Sequence, residues 1–247
     1  MRQFIMRWHS ISIIGAGLLG GSLALAIKRR RLAARVAVFV RREAALGECR
    51  KLDLAEVVTQ DLKEAVQGSE LVVLCTPLSQ MAGLTGQMRP FLQKGAIVTD
   101  VGSVKGTVVR ELEPLARQAG AEFVGSHPMA GSEKTGVASA RADLFENAIC
   151  LVTPGRSSAA KSVASVEEFW QSVGGCPLRM SPEAHDDLVS RSSHLPHVVA
   201  AELANYVLSP VHPKEQAQVC ANGFRDTTRI AAGSPEMWRD IALANRQ

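Results

Sequence analysis

The sequence predicts an α/β fold in which a mostly parallel β-sheet is followed by an all-helical C-terminal domain. Three observations support this prediction. A β-branched run at residues 11–14 enters a glycine-rich turn, strand and helix patterns then alternate up to about residue 180, and no strand pattern is evident from Ala184 onward. We therefore predict a sheet domain over residues 1–180 and a helical domain over residues 181–247.

The glycine-rich turn has the spacing G-x-G-x-x-G and lies between a strand and a predicted helix that begins at about Ser22. In this setting Gly15 permits the tight turn, Gly17 lets the backbone approach a pyrophosphate, and Gly20 lets the helix pack close to the strand. The alternative is an ordinary tight turn. The motif favours a Rossmann-type dinucleotide-binding site, with cofactor contacts from Gly15, Gly17, Leu18, Leu19 and Gly20.

The end of the second predicted strand, Val36–Val40, indicates which dinucleotide binds. A fold of this type places an acidic residue about 20 residues beyond the last glycine, where it bonds the adenosine ribose. This chain has Val40 there, followed by Arg41 and Arg42, whose guanidinium groups can pair with a 2′-phosphate. NADP is therefore favoured over NAD. The alternative is that the two arginines only solvate a loop.

Polar residues follow two further predicted strands. One strand ends at Thr76 and Pro77, and the strand Ala96–Asp100 is followed by Ser103. Because ligands of parallel sheets bind at the carboxyl ends of the strands, we expect Thr76 and Pro77 to contact the cofactor and Ser103 to bond cofactor or substrate. An N-cap for a helix that starts near Val104 is an equally good interpretation of Ser103.

A short predicted strand, Glu122–Val124, leads into a glycine-punctuated stretch from Gly125 to Gly136. This stretch contains His127 followed by Pro128, which biases the histidine toward an extended conformation. Loops of this composition carry binding and catalytic groups. The prediction is a site loop, and the alternative is a surface turn with a solvated histidine.

The C-terminal part predicts three helices, at about residues 183–208, 213–232 and 234 to the end. Its apolar segments contain His185, His194, His197 and Arg229. His194 and His197 lie one helical turn apart, as zinc ligands can, but no third ligand has a suitable spacing, so no metal site is predicted. Arg229 is either a ligand-binding residue or part of a structural ion pair.

Composition excludes several classes of partner. The net charge over 247 residues is +4, and the arginines are scattered apart from the run at Lys28–Arg31, so no nucleic-acid surface is expected. The five cysteines are far apart without a CxxC step, which is typical of a reducing cytoplasm. No signal-peptide core or apolar run of bilayer length is evident, which predicts a soluble cytoplasmic protein without a membrane partner.

The end of the chain has its own pattern. Ala-Asn-Arg-Gln247 follows residues that are typical of the middle of a helix. We therefore expect that a longer natural chain has been cut here or that its tail is absent.

Several motifs together resemble the prephenate/arogenate dehydrogenases of tyrosine biosynthesis over nearly the whole chain. These are the glycine-rich turn, Val101-Gly-Ser-Val-Lys105, Gly125-Ser-His-Pro-Met-Ala-Gly131, Ser193-His-Leu-Pro-His197, and Gly223-Phe-Arg-Asp-Thr-Thr-Arg-Ile230 followed by Met237-Trp238. The resemblance implies an N-terminal NAD(P)-binding domain, a C-terminal helical domain that forms a homodimer, and an active site in the cleft between the domains. The implied substrate is prephenate or arogenate, which differ only in a keto or amino group.

The same resemblance assigns roles to residues of this chain. The catalytic histidine falls on His127, the active-site serine on Ser103, and the substrate-binding arginine on Arg229. The substrate pocket is further expected to include His185, His197, Trp238, Ser132 and Glu133. Two departures from the family are expected to matter: Val40 stands where the family has the ribose acid, and the end at Gln247 is expected to leave out helices that normally complete the dimer domain.

Two other functions fit an architecture of this kind. A two-domain NADP-dependent dehydrogenase that acts on β-hydroxyacids would use a catalytic lysine on a helix, and residues 185–208 contain no lysine. A non-catalytic NADP-sensing module would bind the cofactor without turnover. The sensing module is distinguished from an enzyme by whether reduced cofactor accumulates when prephenate or arogenate is supplied.

Overall fold

The computed structural model describes residues 7–132, 134–209 and 213–246. The chain divides into two compact units, Met1–His185 and Asp186–Gln247. The domain limits that we predict from the sequence, 1–180 and 181–247, stay a prediction. No helix within the described ranges is both long and apolar enough to cross a bilayer.

The first unit contains one β-sheet. Its strands among the described residues are β1 (Trp8–Ile14), β2 (Ala33–Phe39), β3 (Val57–Thr59), β4 (Leu71–Leu74), β5 (Ile97–Asp100), β6 (Glu122–Pro128), β7 (Ile149–Pro154) and β8 (Cys176–Arg179). The order across the sheet is β3-β2-β1-β4-β5-β6-β7-β8. Neighbouring strands are parallel except for β6 and β7, which are antiparallel. The mostly parallel sheet of the sequence-based prediction is therefore confirmed.

Helices cover both faces of this sheet. They are α1 (Leu18–Arg30), α2 (Glu43–Lys51), α3 (Leu62–Val66), α4 (Leu78–Met88), α5 (Gly106–Gln118) and α6 (Ala160–Ser172). Strand β4 shows why two layers are needed, since successive side chains of a strand point to opposite faces. Leu71 and Val73 pack into one core with α1 and α6, whereas Val72 and Leu74 pack into a second core with α4 and α5.

Strand β6 is longer than the sequence suggests, and this changes the setting of His127. Residues 124–128 pair with β7 in antiparallel register, so that His127 lies opposite Leu151. The prediction of a site loop that carries His127 is therefore wrong in its secondary structure. Pro128 tolerates this position because it ends the strand, and it also favours the extended backbone of the residue before it.

Two helix starts also differ from the sequence-based expectation. Helix α1 begins at Leu18, not at about Ser22, so Gly20 and Gly21 lie inside it. Helix α5 begins at Gly106 with Lys105 as the N-cap residue. The N-cap interpretation of Ser103 is therefore wrong, and Ser103 lies in the connection between β5 and α5.

The C-terminal part contains helices and no strand in its described residues. The helices are α7 (Pro182–Val189), α8 (Leu195–Val207), α9 (Pro213–Val219), α10 (Asn222–Thr228) and α11 (Pro235–Ala244). A π-helical turn, Ser190–His194, joins α7 to α8, and a 3₁₀ turn, Arg229–Ala232, follows α10. The all-helical prediction is confirmed, but the single helix predicted over residues 213–232 is wrong, since it breaks near residue 220.

Candidate active site

The turn after β1 has the backbone geometry that its three glycines require. Gly15 has a φ of +105°, and a Cβ there would lie 2.7 Å from the carbonyl oxygen of Cys75. A Cβ on Gly20 would lie 2.0 Å from the carbonyl oxygen of Gly15, so α1 can approach the strand only without a side chain here. A Cβ on Gly17 would meet no atom within 4 Å. Of these three glycines, Gly17 is therefore the one with open space beside its backbone.

The groups around this turn fit the phosphates of a dinucleotide. Helix α1 begins at Leu18, so its first backbone N–H groups, including that of Leu19, point toward the space beside Gly17. Among the described residues, the buried Oγ1 of Thr76 has no hydrogen-bond partner, and its methyl group lies against Gly15. Pro77 precedes α4 as the N-cap residue. Donors, an uncommitted hydroxyl and open space thus meet at one edge of the sheet.

A cleft of about 450 Å³ opens beyond the end of β2. Its lining comprises Phe39, Arg41, Gln60, Gln80, Gly83, Leu84 and Gln87. The lining contains one guanidinium group and three amides but no carboxylate. Arg42 is exposed and precedes α2. The sequence identified Arg41 but missed the glutamines, because they come from the end of β3 and from α4, and no short motif connects these elements.

Two histidine side chains meet at the end of β6. His127 is 9% exposed, and His185 of α7 is fully buried. The Nδ1 atom of His127 lies 2.9 Å from the Nε2 atom of His185, with ring centroids 5.1 Å apart and planes at 57°. A hydrogen bond at this distance needs one donor and one acceptor nitrogen. The pair therefore excludes a state in which both rings are imidazolium ions, since two N–H groups and two charges would then face each other.

The other residues that the sequence assigns to the first unit have different settings. Ser103 is half-buried in the connection after β5. Ser132 is exposed, and its Oγ accepts a hydrogen bond from the backbone N–H of Lys134 at 3.1 Å. Glu133 lies outside the described residues.

The second unit contains a stacked pair of aromatic side chains. The rings of His197 and Trp238 are parallel within 9°, with centroids 3.5 Å apart. Gly233 makes room for the stack, since a Cβ there would lie 2.6 Å from Nε1 of Trp238. Burial lowers the pKa of His197 below its ordinary value, and a hydrogen bond with the backbone of Ile230 opposes this shift more weakly. His197 is therefore held as the neutral imidazole.

Arg229 begins the 3₁₀ turn that follows α10, and it is exposed. In the described residues, no three His, Cys, Asp or Glu side chains are grouped so that they could hold a metal ion.

Comparison with known proteins gives the family. The model of the prephenate dehydrogenase nucleotide-binding domain matches residues 23–177, and that of the prephenate dehydrogenase dimerization domain matches residues 181–247. The chain belongs to the prephenate dehydrogenase family. The resemblance that the motifs indicate is thereby confirmed.

Individual relatives agree with this result. The chain is 37% identical to the cyclohexadienyl dehydrogenase of Zymomonas mobilis, over 95% of this chain and 80% of that protein. It is 36% identical to the prephenate dehydrogenase of Bacillus subtilis, over 96% of this chain but only 64% of that protein, which is just under two thirds. Its structure is similar to that of the Aquifex aeolicus prephenate dehydrogenase in complex with hydroxyphenyl propionate and NAD⁺. The TM-score is 0.89 at 32% identity, covering 99% of this chain and 85% of the other.

Two glycine substitutions should separate cofactor binding from folding. Gly17→Ala adds a methyl group in open space, so it should leave the melting temperature unchanged and abolish cofactor binding by blocking the phosphates. Gly20→Ala forces a clash and should destabilise the fold by about 1–3 kcal/mol. Calorimetric titration and thermal unfolding measure both effects, with Gly47→Ala, which also adds a methyl group in open space, as the control. Wild-type cofactor affinity in Gly17→Ala would exclude this turn as the phosphate site.

The second unit should lose stability in mild acid because of His197. Its lowered pKa means that the unfolded chain takes up a proton at pH values where the folded chain does not, so the stability falls as the pH drops below 6.5. His197→Gln should remove this part of the pH dependence. Amide hydrogen exchange in α8, measured at about pH 7.5 and about pH 5.5, reports the change. His9→Gln, at an exposed position of β1, is the control. An equal pH dependence in the wild type, His197→Gln and His9→Gln would contradict the assignment of this stability change to His197.

Proposed function

We propose that this chain oxidatively decarboxylates prephenate, and by the same chemistry arogenate, to 4-hydroxyphenylpyruvate and tyrosine respectively. The observation that carries the proposal is the 2.9 Å contact between His127 and His185 in a chain of the prephenate dehydrogenase family. A buried imidazole at the carboxyl edge of a dinucleotide-binding sheet is suited to accept a proton while a hydride departs.

The chemistry of the substrate defines what the residues must do. The substrate ring carries a hydroxyl on C4 and a carboxylate on C1. Loss of a hydride from C4 and of the hydroxyl proton makes C4 a carbonyl, and loss of CO₂ from C1 then leaves its electron pair in the ring. The ring becomes aromatic, which drives the reaction, and the phenolate oxygen can take the proton back. The protein therefore needs a reversible base at C4 and a grip on a carboxylate.

His127 is the proposed base, and His185 is the proposed positioning residue behind it. If Nδ1 of His127 donates its hydrogen to Nε2 of His185, the lone pair of His127 is on Nε2 and can face the substrate hydroxyl. When Nε2 takes the proton, the charge on His127 is spread into the bond with His185. This role differs from the sequence-based expectation that His185 touches the substrate.

The remaining polar residues are proposed to bind and orient the substrate. Arg229 can hold a carboxylate through two parallel hydrogen bonds. Ser103 can donate to the oxygen on C4 or to the cofactor. The neutral His197, stacked on Trp238, offers a polar edge on an aromatic surface. Ser132 and Glu133 are proposed as further pocket residues on the family resemblance alone.

The proposed cofactor is a nicotinamide dinucleotide, with NADP favoured over NAD. When bound, the nicotinamide ring accepts the hydride that leaves C4. Gly17 and the first turn of α1 would hold the phosphates, with Thr76 as a hydroxyl partner. Support for NADP comes from Arg41 in a cleft whose lining has no carboxylate. NAD remains the alternative, since NAD⁺ is bound in the Aquifex aeolicus structure.

The second unit is proposed to form a homodimer. The matching family model is described as a dimerization domain. Helix α8 also exposes large apolar side chains, namely Leu195, Val198, Val199 and Tyr206. Exposed large apolar side chains that recur along one helix are typical of a face that another chain covers. We place the dimer in the cytoplasm, where all five free thiols would stay reduced.

The assay with substrate tests the function and the base together. The purified chain should form reduced cofactor and CO₂ from prephenate or arogenate, measured with NAD and with NADP in four combinations.

His127→Asn should bind cofactor normally but turn over roughly 10²–10⁴-fold more slowly, as expected for a lost general base. His185→Gln should lower kcat less, because it acts through His127. Cofactor binding without turnover of either acid would favour the NADP-sensing module, and full activity of His127→Asn would remove His127 from the mechanism.

The cofactor preference depends on charge at the end of β2. Replacing Arg41 and Arg42 by alanine should raise KM for NADP far more than KM for NAD, because only NADP carries a 2′-phosphate. Steady-state rates with both cofactors measure the ratio. Arg50→Ala, on helix α2 that follows these two arginines, is the control and should leave the ratio unchanged. Equal effects on both cofactors would mean that Arg41 and Arg42 are only solvated.

A further inference from the structure

The connection between β5 and β6 contains a buried charged group that the proposed mechanism does not use. The two strands pair only at Ile97–Val98 with Glu122–Phe123. Beyond this point β6 pairs with β7 and no longer with β5. The side chain of Asp100 lies between the backbones of β5 and β6 there. Asp100 and Lys105 are both fully buried and form an ion pair. The backbone just before His127 is thus held by side chains on this side of the strand.

The carboxylate of Asp100 joins three segments of backbone. Its Oδ1 accepts a hydrogen bond from the backbone N–H of Ser126 at 3.1 Å. Its Oδ2 accepts from the backbone N–H of Gly102 at 2.8 Å and from the ammonium group of Lys105. Gly102 is required here, since a Cβ on it would lie 2.8 Å from that same oxygen. One side chain therefore ties residues on both sides of Ser103 to the residue before His127.

Lys105 completes the connection from the other direction. Its Nζ donates a hydrogen bond to the carbonyl oxygen of Ser126 at 2.8 Å. The Oγ of Ser126 in turn donates to the carbonyl oxygen of Asp100 at 2.6 Å and contacts the hydroxyl of Thr99 at 2.9 Å. Both the N–H and the C=O of Ser126 are thus bonded by the ion pair. This residue is adjacent to His127, so a shift of the pair moves the imidazole.

We propose that Asp100 and Lys105 are positioning residues that fix the Ser103 connection relative to His127 and thereby control turnover. This inference rests on the function proposed above, because it concerns the residues assigned to that reaction. Neither residue needs to touch the substrate. They set where Ser103 and His127 lie, and displacement of a reacting group by about 1 Å can cost about 100-fold in rate.

The ionised carboxylate has a property that a neutral side chain lacks. Both of its oxygens accept, so it serves the N–H of Ser126 on one side and the N–H of Gly102 on the other. Asparagine has one acceptor oxygen and one NH₂ group, which would face an N–H donor. The buried negative charge then requires Lys105, since an unpaired carboxylate in the core is strongly unfavourable. The pair is thus a consequence of holding two backbone donors with one side chain.

A double variant distinguishes positioning from stability. Asp100→Asn and Lys105→Met alone each leave one buried charge without its partner, so both should unfold at lower temperature than the wild type. Asp100→Asn combined with Lys105→Met buries no net charge and should recover most of the melting temperature. If the pair positions His127, kcat of the double variant should stay about 100-fold low while KM for the cofactor stays at the wild-type value.

The control and the contradicting results are equally specific. Ser12→Ala removes a fully buried hydroxyl that bonds Ser69 and the carbonyl oxygen of Ala65, so it should lower stability without changing kcat. Wild-type kcat in the double variant would overturn the proposal and leave the pair a purely structural role. A kcat that falls only in proportion to the folded fraction would lead to the same conclusion. Wild-type protein that binds cofactor but turns over neither acid would instead contradict the proposed function itself.

Discussion

The hydrogen bond between His127 and His185 is the interaction on which the account of this protein depends. It fixes the direction of two buried imidazoles, and it allows only one of the facing nitrogens to carry a hydrogen. In the mechanism proposed above, this constraint decides which nitrogen of His127 is available as a base. In that proposal His185 is neutral, so it accepts from the imidazolium form of His127 without adding a permanent charge beside a substrate that already carries carboxylates.

The fold explains how a buried pair arises at the edge of a sheet. Parallel strands end at a common edge, where the glycine turn after β1 and the hydroxyl of Thr76 lie. Strand β6 extends past its parallel neighbour because the antiparallel strand β7 pairs with its last residues. The resulting gap beside β5 is filled by Asp100 and Lys105. One change in strand direction therefore creates both the extended segment with His127 and the polar network behind it.

The sequence predicted the parts that depend on local spacing. The glycine turn, the alternation of strands and helices, and the helical C-terminal part follow from short patterns, and the motif residues were sufficient to identify the family. His127 was found but assigned to a loop, because antiparallel pairing with β7 depends on residues more than twenty positions away. The contact between His127 and His185 spans 58 residues, and the Asp100 bond to Ser126 spans 26 residues. Contacts over such separations leave no periodicity that a single sequence can reveal.

The tautomer of His127 is the most direct test of this account. Nuclear magnetic resonance of ¹⁵N-labelled protein identifies which ring nitrogen carries hydrogen, with His127→Asn used to assign the signals. The account predicts that at neutral pH Nδ1 of His127 is protonated and its Nε2 is not. A hydrogen on Nε2, with Nδ1 accepting from His185, would leave no lone pair to take the substrate proton and would contradict the proposed role of His127 as the base.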